Sequence, residues 1–235
     1  MTGRRRSAGF LIGLSIAAAL AVAGLASLGV WQVDRLAWKR DLIHKVETRI
    51  HARPVEAPRD AEADDAYLRV TASGYFLHDR TTLVQAVTVR GAGYWVMTPL
   101  MTDRGVTLLV NRGFVPAEAK TSYMRPSGTV RITGLLRLSE PHGGFLRSND
   151  PGANRWYSRD VAAISAARKL PSPLANYFVD AEASPSPDAL PIGGLTVVKF
   201  PNSHLSYAIT WFVLAAMVAG AYMVLMRHEW KERRA

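Results

Sequence analysis

Two long apolar runs, with a region of shorter β-branched and aromatic stretches between them, divide this chain of 235 residues. The first extends from Gly9 to Trp31 without an ionisable side chain, and the second, from Leu205 to Met226, is equally uncharged. As a helix the 23 residues of the first reach roughly 34 Å, enough to cross a hydrocarbon layer of about 30 Å. Both runs therefore predict transmembrane helices. Beyond Trp31 the apolar positions Val33, Leu36, Ala37, Ile43, Val46 and Ile50 recur three and four apart. The first helix is thus expected to continue as an amphipathic helix until Pro54 stops it. Residues 54–66, with their prolines and acids, read as a linker.

Between the runs, β-branched and aromatic residues predict strands at Tyr67–Phe76, Thr81–Val89, Gly93–Leu100, Val106–Val110 and Thr129–Leu138. Two more are expected at Tyr177–Ala181 and Leu195–Phe200, and one short helix from Ser158 to Leu170 with Ser158 as its cap. The connections are too short for crossover helices, so the strands predict an antiparallel barrel or sandwich. The fold class is α+β: a mainly antiparallel β domain inserted between two transmembrane helices. The expected organisation is a tail at 1–8, a span at 9–31, a domain at 32–203, a second span at 204–226 and a tail at 227–235.

Flanking charge sets the expected orientation. Arg4, Arg5 and Arg6 precede the first span, and Arg227, Lys231, Arg233 and Arg234 follow the second. Basic residues in short tails stay cytoplasmic, whereas a long loop translocates largely regardless of its charge. Both termini are expected in the cytoplasm, and the domain outside it. The first run is longer than a cleavable signal core and continues into an amphipathic helix, so it is read as a retained anchor. The net charge of +10 resembles a nucleic-acid signal, but much of it lies in the tails. Without their seven basic and two acidic residues, 22 basic and 17 acidic remain, with no basic block. An anionic inner leaflet accounts for the tails, and no nucleic-acid partner is expected. The absence of cysteine excludes disulfides, thiolate metal sites, iron–sulfur clusters and covalent c-type haem.

His204, at the mouth of the second span, is the sharpest chemical candidate. Imidazole is the usual protein ligand of haem iron, and one axial histidine suffices to hold a haem non-covalently. Asn202 or Ser203 would accept its other ring N–H. The alternative is an interfacial histidine that only hydrogen-bonds. At the exit of the first span, Trp31, Gln32 and Arg35 lie at headgroup depth, as does Tyr207 on the second. Gln32 stands out, because an amide at that depth needs a partner. Gly9, Gly13, Ala17 and Ala21 form a ridge of small residues, and Ala216 and Gly220 repeat the spacing, which predicts close packing of the two helices or docking of another membrane component. No nucleophile elbow, zinc helix, phosphate loop or dinucleotide fingerprint is present, so an enzyme is not expected. His142 beside Glu140 is the only local acid–base pair, and reads as a solvated loop.

The ordered motifs carry a resemblance. They are Gly29-x-Trp31-Gln32-x-x-Arg35-x-x-Trp38-Lys39, Asn111-Arg112-Gly113-Phe114-Val115-Pro116, Gly134-Leu135-Leu136-Arg137 and Glu140-Pro141. There follow Asn149-Asp150-Pro151-x-x-Asn154-x-Trp156-Tyr157, Tyr177-Phe178-Val179-Asp180, Pro191-x-Gly193-Gly194 and Asn202-x-His204-Leu205-x-Tyr207-Ala208-x-Thr210-Trp211-Phe212. With the two-helix plan, this series resembles the surfeit locus protein 1 family of cytochrome oxidase assembly factors. The resemblance implies an inner-membrane factor that binds haem a and aids its insertion into the oxidase catalytic subunit. It implies His204 as axial iron ligand, and the oxidase, and by extension a haem a synthase, as partners. Arg35 or Lys39 would lie near the propionates, with Gln32, Trp31 and Tyr207 around the cofactor. The family's usual second asparagine before the histidine is Ser203 here, which bears on hydrogen bonding more than on the ligand. Two other classes share the plan: a cofactor-free scaffold and an extracytoplasmic sensor. The short tail after the second span argues against the sensor.

Overall fold

The computed structural model describes residues 7–143, 147–184, 186, 189–196, 198 and 200–234. In chain order the elements begin with α1 (Ala8–His51), β1 (Val55–Glu56), β2 (Arg69–Phe76), β3 (Thr82–Thr88) and β4 (Gly91–Thr102). They continue with β5 (Thr107–Pro116), β6 (Val130–Leu138), α2 (Val161–Arg168), β7 (Leu174–Ala181) and α3 (His204–Arg234). Two compact units result: residues 46–198 form one, and both ends of the chain form the other.

The helical unit pairs α1 with α3. At 44 and 31 residues the helices extend roughly 66 and 46 Å, and both are long and apolar enough to cross a membrane. The less exposed positions of α1 include 11, 15, 18, 22, 25, 29, 32 and 36; those of α3 include 204, 208, 211, 215, 218, 222, 225 and 229. Steps of four and three alternate in both, the seven-residue repeat of a left-handed helix pair. The expected ridge lies elsewhere. Gly9, Gly13, Ala17 and Ala21 are exposed, and a β-carbon at Gly9, Gly13 or Gly220 would meet nothing within 4 Å. Close approach occurs instead at Gly29, where a β-carbon would lie 2.7 Å from the Phe212 ring. Ser15 donates its hydroxyl to Leu11 O at 2.8 Å and so accepts from Tyr222 at 2.7 Å. Thr210 and Ser27 bond back to Ser206 O and Ala23 O on their own helices. Hydroxyls in an apolar span are thereby satisfied without water.

The second unit is built on one curled sheet in the order β1-β2-β6-β7-β5-β4-β3. A further pairing of β2 with β4 closes β2, β6, β7, β5 and β4 into a ring. Gly74 is the switch point, facing Val130 of β6 and Thr102 of β4. A ring of five strands cannot alternate direction throughout, so one parallel pair is unavoidable. It is β5 with β7: β7 lies antiparallel to β6, returned by the connection that carries α2. The helix expected between Ser158 and Leu170 forms within that connection as α2. β1, inside the expected linker, adds a two-residue parallel pairing to β2.

Val70, Leu100, Leu108, Val110, Leu136 and Val179 fill one side of the sheet. On the other, Val161 and Ile164 of α2 pack with Trp156 against Leu109 and Phe178. β5 and β7 are thus covered on both faces, which explains the unbroken apolar runs in their sequences. Asp160, not Ser158, caps α2, its Oδ1 accepting from Ala163 N at 3.0 Å. Ser158 Oγ accepts instead from Gly143 N and Asn149 Nδ2, both at 3.0 Å. No strand forms over the described residues of Leu195–Phe200; positions 197 and 199 lie outside the described residues, as does Gly144 of the expected Gly143-Gly144 turn. Ile192, just before, makes a two-bond bridge to Phe114. Gly113, at φ +127°, allows this, since a β-carbon there would sit 2.3 Å from Ile192 O.

Candidate functional site

His204 is the first residue of α3, and Gln32 lies on the inward seam of α1 just past the apolar run. The His204 Nδ1–H donates to Gln32 Oε1 at 2.7 Å. Gln32 is only 9 % exposed and His204 is half-buried. The partner of the imidazole is therefore on the other helix, a correction to the expected Asn202 or Ser203, both of which are exposed. Because the amide oxygen can only accept, it holds the neutral ring in the Nδ1–H tautomer. Nε2 then carries the lone pair that a metal ion takes, and among the described residues it has no hydrogen-bond partner. This donor set fits an axial haem ligand.

The other expected site residues are placed differently. The Arg35 guanidinium stacks on its own helix between Trp31 at 5.7 Å and Trp38 at 5.6 Å. Lys39 lies 5.4 Å over the Phe200 ring. Trp31 and Tyr207 are each half exposed, and neither bonds the imidazole. Thus the structure brings together His204 and Gln32, with Arg35 held one turn along α1, while Trp31 and Tyr207 face outward as interfacial aromatics do.

Within the domain, several motifs that read as turns converge on an ion cluster around the buried Asp180 carboxylate. Asp180 on β7 is 3 % exposed and accepts from Asn111 Nδ2 at 2.8 Å. It also accepts from Arg137, Arg159 and Thr196, each at 3.0 Å. Glu140 takes the other side of the Arg159 guanidinium, which lies 4.7 Å over the Phe178 ring. Burial opposes the Arg159 charge, but Asp180 and Glu140 outweigh it and hold its pKa above the ordinary value. Glu140 is thus engaged with Arg159, and no acid–base pair forms with His142, which is exposed. Asn111 Oδ1 also accepts from Gly113 N at 3.1 Å, tying cluster to turn. No lone motif announces this cluster; its bonded pair Asn111–Asp180 alone lies 69 positions apart in the chain.

The Asn149–Trp156 segment is turn chemistry. Asn149 Oδ1 accepts from Tyr157 N and Ser158 N, Asp150 pairs with Arg155, and Asn154 Oδ1 accepts from the Trp156 indole. Asp150 is held below the usual carboxylate range by that Arg155 hydrogen bond first, then by Ala153 N–H. Among the described residues, no group of three His, Asp or Glu side chains has the arrangement of a metal cage.

In sequence a closed five-strand ring lies between two helices that are long and apolar enough to cross a membrane and that a polar pair holds together. A model described as the SURF1 family matches residues 19–216, and the chain belongs to that family. It is 36 % identical over 211 residues to surfeit locus protein 1 of Rattus norvegicus, covering 80 % of this chain and 68 % of that protein. The human protein of the same name is 35 % identical over 212 residues, covering 80 % and 69 %. A SURF1-like protein of Monosiga brevicollis is 35 % identical over 218 residues, covering 85 % and 82 %.

Proposed function

We propose that this protein is a membrane-anchored, non-enzymatic assembly factor for haem–copper cytochrome oxidase that carries haem a for insertion into the catalytic subunit. The observation that supports this most directly is the His204–Gln32 bond, which fixes the tautomer whose Nε2 can ligate iron. Bound haem would supply an iron centre in need of an axial base. His204 would hold it, Gln32 would orient the imidazole, and Arg35 and Lys39 would offer positive charge to the propionates. A single protein ligand suits a carrier, because a cofactor that must be passed on requires a usable off-rate. The location would be a bacterial-type inner membrane with both termini cytoplasmic, and the partners the oxidase catalytic subunit and a haem a synthase. The protein purified from cells that make haem a should show a Soret band that His204→Ala abolishes. An unchanged spectrum in that variant would reject the ligand assignment.

A second reading has its own observation. The same 2.7 Å bond gives the ring N–H and the amide oxygen each other as partners, which by itself accounts for both residues lying on the seam. In that case the protein is a cofactor-free scaffold, and no preparation would show a Soret band while oxidase assembly still required the chain.

A further inference from the structure

Strand β3 is an edge strand of the sheet: β4 pairs with it along its length, and on its other side an isolated parallel bridge joins Val84 to Trp156. The β3–β4 hairpin closes on the Thr88–Gly91 pair, so Ala86 and Val84 share ladder bonds with β4 while Gln85 and Val87 point their amides outward. Gln85 N is taken, donating to Trp156 O at 2.8 Å. Beyond Gln85 nothing among the described residues covers the edge. Val87 and Val89 are 88 % and 89 % exposed. Native sheets normally protect such an edge with charge, proline or a covering element.

Beside this edge lies a cleft of about 570 Å³ whose walls include Lys120, Arg125, Arg155 and Arg168, with Asp79 its single acid. Asp79 already faces Arg80 at 3.7 Å, and Arg155 is paired with Asp150. The other three cations have no carboxylate partner among the described residues. Arg168 is held by neutral acceptors, Thr82 Oγ1 at 2.8 Å and Asn154 Oδ1. Lys120 rests 5.1 Å over Tyr94, and Arg125 5.2 Å over Tyr123. Their positions are set while their charges stay available. The cleft wall also includes His78, whose Nδ1 is shielded from water and unpaired while its Nε2–H donates to Pro126 O at 2.9 Å. An unpaired buried nitrogen is a cost that rearrangement on binding can relieve. Gln85 and Tyr94 also line a second cleft of about 640 Å³, which includes Ala86 and Val87. A basic cleft and a second one, lined by Ala86, Val87 and Ala92 together with Arg147 and Tyr157, therefore follow each other along the strand edge, which is open beyond Gln85.

We propose that this edge docks an extended acidic segment of a partner protein, which pairs with β3 at Val87 and sets carboxylates among Lys120, Arg125 and Arg168. Polypeptide is the occupant that supplies backbone donors and acceptors for the edge together with acidic and apolar side chains in alternation. A lipid headgroup or a free anion would answer the charge but not the edge. This surface belongs to the domain and does not depend on whether the helices hold haem.

The test uses the full chain in detergent and a short fluorescein-labelled peptide of alternating glutamate and valine, read by fluorescence anisotropy at low salt. The peptide should bind, and its glutamine–valine counterpart should bind far more weakly. Lys120→Glu with Arg125→Glu should weaken binding by about tenfold or more, as loss of charge-assisted bonds does. Val87→Pro removes the outward amide without touching the ladder, and should weaken binding with an unchanged circular dichroism spectrum. Arg131→Glu, an exposed reversal outside the cleft, should have little effect. The proposal is overturned if Arg131→Glu weakens binding as much as the cleft reversal, if the Val87→Pro protein binds normally, or if phosphatidylglycerol added to the detergent micelles competes as well as unlabelled peptide. Should the double reversal fail to fold, Lys120→Gln with Arg125→Gln carries the same comparison.

Discussion

The ring of Phe212 closes over Gly29, so that a β-carbon at position 29 would fall 2.7 Å from two of its carbons. The contact lies one turn before Gln32 and two turns after His204, and so governs how the two polar residues meet. Gly29→Leu should force the helices apart and destabilise the pair by about 1–3 kcal/mol, the usual penalty of overpacking. Phe212→Ala in the same chain should recover much of that loss. A double-mutant cycle on the thermal midpoint in detergent measures the coupling, and additive effects would show that the two residues do not share the contact.

Gln32→Leu keeps the volume but removes the acceptor of the His204 N–H. If His204 ligates haem iron, this change should reduce haem affinity by about 10- to 100-fold without abolishing it, as loss of an orienting partner does at other metal sites. Haem titration followed at the Soret band distinguishes this from His204→Ala, which should remove binding altogether.

Asp180 is buried and holds two partly buried guanidinium groups. Asp180→Ala strands both, and the expected loss is about 3–5 kcal/mol, a large share of a domain's total stability. The midpoint of urea unfolding by tryptophan fluorescence should fall accordingly. Arg155→Ala, which breaks only an exposed pair with Asp150, should leave that midpoint nearly unchanged.

Tyr177 is buried and donates its hydroxyl to Pro58 O at 2.6 Å. Burial, reinforced by Asp60, raises its pKa above the ordinary tyrosine value. Above about pH 10 the unfolded chain loses this proton while the folded one retains it, so the unfolded state binds fewer protons and stability falls as pH rises. The contribution is complete below that pH. Tyr177→Phe should flatten the alkaline limb of the stability curve, at the expense of about 1 kcal/mol at neutral pH for the lost bond.

Much of the architecture was legible in the chain. β-branched and aromatic residues over Tyr67–Phe76 and Thr129–Leu138 marked two strands of the ring, and Pro54 lies three residues beyond the end of α1. The closure of the ring was not legible, because the pairing of Gly74 with Thr102 depends on distant partners that no local pattern encodes. Nor was the contact face of the spans, since in a wholly apolar helix hydrophobicity cannot tell inside from outside. The small residues Gly9 and Gly13 suggested one face, whereas the few polar ones marked the true one: Ser15, Gln32, His204 and Tyr222 all lie on the seam. Gln32 was singled out as an amide in need of a partner, and the structure supplies it. The Asp180 cluster was hidden because Asn111, Arg137 and Glu140 each also fit a turn or a surface strand.

The seven-residue phase of the two helices makes the count of residues between anchors as consequential as their greasiness. One extra residue inserted in α1 between Ser15 and Gln32 would swing everything beyond it by about 100°. Ser15 would still face Tyr222, but the amide would turn toward lipid and leave the imidazole alone. Length, in this span, is part of the code.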